Sequence, residues 1–109
     1  MDINGIWKIE MMGIYGWEPT ATAFLENGRY LAGSNNHCAV GKYTLDGKDI
    51  YIDGVMNVYK KTRALFGKKS SSYDVSFRGT LEGNVIEGEA KEGKRNILRY
   101  KATKIAELP

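Results

Sequence analysis

The chain has one histidine and one cysteine, and they are neighbours, His37 and Cys38. A nucleophile next to a general base is the smallest set from which a Cys-His or Ser-His hydrolase could be built. In an extended segment, however, adjacent side chains point to opposite faces, so these two meet only if a turn intervenes. The plainer reading is an exposed loop histidine beside a half-buried thiol. One Cys and one His also fall short of the three or four ligands that zinc requires, so no metal site is expected. Residues 24–47, FLENGRYLAGSNNHCAVGKYTLDG, are rich in glycine but lack the G-x-x-x-x-G-K-[ST] spacing of a phosphate loop. No helix follows whose N-terminus could hold an anion, so these glycines read as turns. Glu87 and Glu89 stand two apart, as paired carboxylates on one strand face would. With Ile86, Gly88 and Ala90 turned inward, that pair faces solvent. The inventory predicts no catalytic residue and no cofactor, and the protein reads as non-enzymatic.

Charge is distributed unevenly. The formal net charge is +3, and Lys60, Lys61, Arg63, Lys68 and Lys69 crowd into ten residues of a stretch, 54–73, that has no acid. Such a loop can steer a charged partner, and Tyr59 and Phe66 within it could stack on bases. Against that, +3 is a small footprint for a nucleic-acid binder, and no direct nucleic-acid contact is expected. The opposite bias lies at Glu82, Glu87, Glu89 and Glu92. The start, MDINGIWKIE, has no basic segment leading into an apolar one, and no run approaches the length of a membrane span. With its single cysteine, the chain reads as a cytoplasmic protein without a membrane partner.

The elements that would position these residues are strands. No window of a dozen residues repeats apolar positions at i, i+3, i+4 and i+7, whereas short runs rich in β-branched and aromatic residues recur between glycine-containing turns. Strands are predicted at Ile3–Met11, Glu18–Glu26, Arg29–Gly33, Ala39–Leu45, Asp49–Asn57, Ser72–Glu82, Val85–Lys91 and Arg95–Ile105. Asn27-Gly28 and Asp46-Gly47 tolerate the positive φ angles of type I′ turns, and Gly83-Asn84 and Glu92-Gly93-Lys94 suggest two further hairpins. Strands joined by such short links are antiparallel neighbours. The predicted fold is all-β, one domain over residues 1–109: an eight-stranded antiparallel up-and-down barrel of the lipocalin kind. The segment 59–71, with ALFG at its centre, is the one long interruption.

Alternation assigns the interior. In SYDVSFRGTLE, Tyr73, Val75, Phe77, Gly79 and Leu81 form one face. By the same rule Trp7, Ile9, Phe24, Leu31, Tyr43, Leu45, Ile50, Ile52, Ile86, Leu98 and Tyr100 are core candidates. If the barrel is hollow, Trp7, Phe24, Tyr43, Ile52, Tyr73, Val75, Phe77, Leu98 and Tyr100 would line a pocket for a small hydrophobic ligand.

Several short pieces, in order, resemble the GrlR family of type III secretion negative regulators: NGIWKIE at 4–10, ENGRYLAGS at 26–34, VGKYTLDGKDIYI at 40–52, ALFG at 64–67 and FRGTLEGNVIEGEA at 77–90. The resemblance implies a small lipocalin-like barrel in a bacterial cytoplasm that forms a homodimer. It further implies a repressor of transcription that binds an activator protein rather than DNA. Where the family carries an acidic run used in partner binding, this chain has Asp46, Lys48 and Asp49, which become the implied partner-binding residues. The runner-up is a carrier that holds a small hydrophobic ligand in the barrel.

Overall fold

The structure is a computed structural model that describes residues 3–35, 37–58, 72–92 and 95–109. The basic cluster Lys60, Lys61, Arg63, Lys68 and Lys69, with Tyr59, Phe66 and the Gly93-Lys94 tip, lies outside the described residues. Eight strands follow one another: β1 Gly5–Gly13, β2 Gly16–Glu26, β3 Arg29–Gly33, β4 His37–Asp46, β5 Asp49–Val58, β6 Ser72–Glu82, β7 Val85–Glu92 and β8 Arg95–Ala106. Each pairs antiparallel with the next, and β8 pairs with β1 to close an up-and-down barrel. Closure gives every strand a paired neighbour on both sides. All eight strands of the sequence reading are present: β3 and β6 match it, β1 starts and ends two residues later, and the other five are one to three residues longer. Among the described residues no helix is long and apolar enough to cross a membrane.

Local chemistry sets the turns. Asn27 and Gly28 both have positive φ, 47° and 84°, as a type I′ turn requires. The next hairpin differs from expectation, because its turn is Gly47-Lys48, with Asp46 opposite Asp49 and positive φ at Gly47 alone (62°). Only the residue entering this turn needs the left-handed region, so glycine comes first and lysine second. Pro19, which has no N–H to give a ladder, sits where β1 shifts register against β2 between Ile9 and Glu10.

Two corners shape the wall. Gly41 faces Gly54 across β4 and β5, and Gly79 faces Gly88 across β6 and β7. At each pair the backbones come too close for a side chain. A Cβ on Gly54 would lie 2.5 Å from the Val40 carbonyl oxygen, and one on Gly79 would lie 2.6 Å from the Tyr100 hydroxyl and 2.7 Å from the Glu87 carbonyl. A tyrosine stands beside each pair on the adjoining strand: Tyr30 opposite Gly41 and Tyr100 opposite Gly88. Both are buried, and Phe77 bridges them with ring centroids 5.7 Å from Tyr30 and 5.4 Å from Tyr100. Edge-on and tilted geometries of this kind are the favoured ones for aromatic pairs.

The core contains Trp7, Ile9, Ile50, Ile52, Tyr73, Val75, Phe77, Leu81, Ile86 and Tyr100, as alternation predicted, with Tyr43, Leu45 and Leu98 packed against it. Phe24 and Leu31 are corrections: both are 39% exposed and lie on the outside. Ala23, Leu25 and Tyr30 take the interior places instead. Trp7 faces Ala23 directly, and Ala23, Ala32 and Ala39 form a cross-strand row. The indole needs small residues opposite it, and this fixes the phase of β2 and β3 against the bulkier Phe24 and Leu31. Replacing Gly54 with alanine is expected to cost about 1–3 kcal/mol of overpacking, read as a lower urea midpoint. Gly33→Ala, whose Cβ meets nothing within 4 Å, is expected to leave stability unchanged or raise it by about 0.5 kcal/mol.

Candidate functional site

The interior is filled by the protein itself. The cavity among Trp7, Leu25, Tyr30, Phe77, Tyr100 and Ala102 measures about 10 Å³, room for about one water molecule. Of the residues assigned to a ligand pocket, Trp7, Ile52, Tyr73, Val75, Phe77 and Tyr100 do point inward, but they occupy the space rather than enclose it; Tyr43 and Leu98 pack at its margin, and Phe24 is outside. Burial pushes the Tyr30 and Tyr100 hydroxyls well above the ordinary tyrosine range, and the nearby Tyr100 adds to the rise at Tyr30. Both stay neutral under any physiological condition. The Tyr100 hydroxyl is buried without a hydrogen-bond partner among the described residues.

His37 and Cys38 lie at the end of the barrel where β3 turns into β4. The expectation of an exposed loop histidine fails: His37 is the first residue of β4 and only 4% exposed. Strand alternation turns Cys38, which is half-buried, to the other face. The histidine pairs instead with Ser34, Oγ to Nδ1 at 2.7 Å, and the Ser34 N–H donates to the His37 carbonyl at 2.9 Å. This arrangement ties the β3–β4 connection together, with the ring held in one orientation. Burial lowers the His37 pKa below its ordinary value. Among the described residues no group of three or more His, Cys, Asp or Glu side chains is placed to hold a metal.

The opposite end is closed by three hairpin tips, each bonded to the next strand. The Tyr43 N–H donates to the Gly28 carbonyl at 2.8 Å, Leu81 to Lys48 at 2.7 Å and Lys104 to Asn84 at 2.8 Å. Asn4 joins this ring. Its Nδ2 donates to Asn27 Oδ1 at 3.0 Å, while its Oδ1 accepts from the Asn27 N–H at 2.9 Å and from the Tyr43 hydroxyl at 3.2 Å. Asp46, Lys48 and Asp49 sit on this platform, all exposed. Lys48 Nζ lies 3.7 Å from Glu82 Oε2 on the neighbouring tip, both side chains 72% exposed, a pair of little energetic weight. Two carboxylates face each other directly across the hairpin at Asp46 and Asp49, an unfavourable cross-strand pair. Glu87 and Glu89 are exposed on the outer wall, as expected from the inward Ile86 and Ala90.

The outer wall carries a feature that the sequence reading missed. Phe24 on β2 faces Leu31 on β3, Leu31 faces Val40 on β4, and Val40 faces Val55 on β5. All four are 37–47% exposed, and they form one apolar row across four strands. On one side run Glu26, Arg29, Lys42 and Asp53, in the same cross-strand order. The row was legible. A two-residue turn at 27–28 makes Glu26 and Arg29 a cross-strand pair; two charged residues belong outside; and positions two further along, 24 and 31, must then share that face. No protein-family model matches the chain, and no curated protein matches it significantly.

Two outcomes follow. Because the unfolded chain protonates His37 near pH 6.5 and the folded chain resists it, the unfolded state binds more protons below that pH, and stability contributed by the buried neutral ring is lost as pH falls. Urea midpoints taken between pH 7 and pH 5.5 should therefore fall more steeply for the wild type than for His37→Gln. Tyr100→Phe removes a buried hydroxyl that has no described partner, so stability is expected to stay level or rise by up to about 1 kcal/mol, against the loss usual for a core substitution.

Proposed function

We propose that the protein is a non-enzymatic regulatory binding protein of the bacterial cytoplasm. In this reading it is a negative regulator of transcription, related to type III secretion, that acts by binding an activator protein. The observation that carries the reading is the apolar row on the outer wall beside a filled interior. Contiguous exposed apolar surface marks protein interaction sites, and a cavity of about 10 Å³ leaves the alternative, a carrier of small hydrophobic ligands, room for about one water. Asp46, Lys48 and Asp49 supply the contact to the activator, from a rigid and fully exposed tip. The resemblance to the GrlR family supports the regulatory part.

The test is a reporter of secretion-gene transcription in the source bacterium. Overproduction of the protein is expected to lower the signal several-fold, and the double charge reversal Asp46→Lys with Asp49→Lys to restore it. An unchanged reporter overturns the regulatory reading. A lipid retained one-to-one in native mass spectrometry would establish the carrier instead.

A further inference from the structure

The turn between β1 and β2 is Ile14-Tyr15, bracketed by the facing pair Gly13 and Gly16, and its two side chains are 89% and 91% exposed. Two-residue hairpin turns favour glycine, asparagine and aspartate. A β-branched residue followed by an aromatic one is the reverse of that chemistry. The fold does not call for them either: the positive φ of this turn falls at Gly16 (111°), not at residues 14 or 15, so a small polar pair would serve the backbone as well. We propose that this tip inserts into the surface of an anionic lipid bilayer, with Ile14 and Tyr15 at the acyl chains and cations behind them on the phosphates. The site goes beyond the regulatory reading and does not depend on it. It is neither a leader nor a span, the two features whose absence led the sequence reading to expect no membrane partner.

The surroundings of the tip identify the occupant. On β8, which pairs with β1, Ile97 is 53% exposed, and Arg99 lies two residues further from this end. Trp17, cross-strand to Met12, is half-buried, with Lys101 Nζ 4.8 Å and Arg99 Cζ 5.7 Å from the centre of its ring. Two cations on one indole put positive charge and an aromatic edge together behind the tip. Of the acids on β1 and β2 here, Glu10 is 3.7 Å from Lys8, and the Glu18 carboxylate lies over Gly13. Strand β5 ends and β6 begins at this same end, and the sequence that joins them, 59–71, holds five cations and no acid. Asp46, Asp49 and Glu82 stand on tips at the opposite end. A protein partner would take about 800 Å² from each side, far more than two side chains at a tip supply. A bilayer accepts a narrow apolar point without matching its shape, and anionic lipid matches the cations behind it.

Spacing agrees. Trp17 follows Tyr15 by two residues, a rise of about 7 Å along a strand and about 5 Å along the axis of a barrel whose strands tilt by about 40°. The headgroup layer on each side of a bilayer is about 5–7 Å thick. With Ile14 and Tyr15 at the edge of the hydrocarbon, Trp17 and Arg99 therefore sit at phosphate depth, where indoles and cations are favoured. The Asp46–Asp49 hairpin, at the other end of the barrel, then points away from the anionic surface. Attraction at one end and repulsion at the other fix the orientation.

Co-sedimentation of the full chain with vesicles tests this. The wild type is expected to pellet with phosphatidylethanolamine vesicles containing about a third phosphatidylglycerol, and to bind vesicles of phosphatidylcholine alone roughly tenfold more weakly. On the anionic vesicles, Ile14→Ser with Tyr15→Ser is expected to lower the partition coefficient at least about tenfold, and Arg99→Gln about fivefold. Far-ultraviolet circular dichroism and a urea midpoint close to wild type show that the variants fold. Should the serine variant not fold, brominated phosphatidylglycerol gives the reading on the wild type: Trp17, behind the tip, is quenched and the enclosed Trp7 is not, so part of the tryptophan emission is lost. A wild type that stays in the supernatant overturns the proposal, and is the result expected of a tip that docks a protein instead. A serine variant that binds as tightly as the wild type overturns it too, as does emission that brominated lipid leaves intact.

Discussion

The barrel depends on two places where no side chain fits. An eight-stranded sheet closes only if its strands bend, which glycine permits, and here glycines face each other at Gly41 with Gly54 and at Gly79 with Gly88, where a Cβ would meet the backbone of the facing strand. Glycine pairs forfeit packing and β propensity. The loss is made good from the neighbouring strand, because Tyr30 lies beside the first pair and Tyr100 beside the second, each cross-strand to a glycine. Large rings placed against bare backbone restore the burial that two missing side chains remove, which is how aromatic residues rescue glycines in sheets. Phe77 between the two tyrosines then makes the two corners parts of one aromatic stack.

That stack determines what the protein can do. Three aromatic rings and Trp7 fill a barrel of this size, so the interior is a core and not a chamber. The Tyr100 hydroxyl, set over Gly79 where a Cβ would be only 2.6 Å away, has no described partner, and the packing of its ring is what the fold uses. A polar atom is tolerated there as the tail of an indispensable shape. Chemistry must then be sought on the surface, and the two ends of the barrel differ in kind. One end is a ring of hairpin tips bonded strand to strand through Asn4, Gly28, Lys48 and Asn84. The other has Ser34 and His37 holding the β3–β4 connection.

Most of this was legible in the sequence, for a physical reason: period-two alternation and glycine-containing turns are local signals, and an up-and-down barrel is built almost wholly from local pairings. The eight strands, the Asn27-Gly28 turn, the outward Glu87 and Glu89 and the larger side chains of β5 to β8 in the core follow from them. The failures share a cause. Phe24 and Leu31 were assigned inward by alternation within their own strands, but the phase of that alternation is governed by Trp7 on β1, which pairs with β2. Trp7 needs Ala23 before it, and size at one position is decided by size at another. His37 was misplaced likewise, since its burial comes from strand β4 beginning two residues earlier than its apolar pattern does. Asp46, Lys48 and Asp49 could be placed on a tip from sequence, but which two residues form the turn depended on a φ angle that Asp-Gly-Lys-Asp leaves open.

The apolar row lies on the wall, midway along β2 to β5, whereas the acidic tip projects from the closed end. Only β4 and β5 belong to both, and the Gly41–Gly54 corner lies between the Val40–Val55 pair of the row and the Asp46–Asp49 pair of the tip. A corner held by backbone contact transmits position well and flexes little. The 46–49 hairpin is thus held in a fixed relation to the wall, with its tip tied to the neighbouring strand by the Leu81 N–H donating to the Lys48 carbonyl.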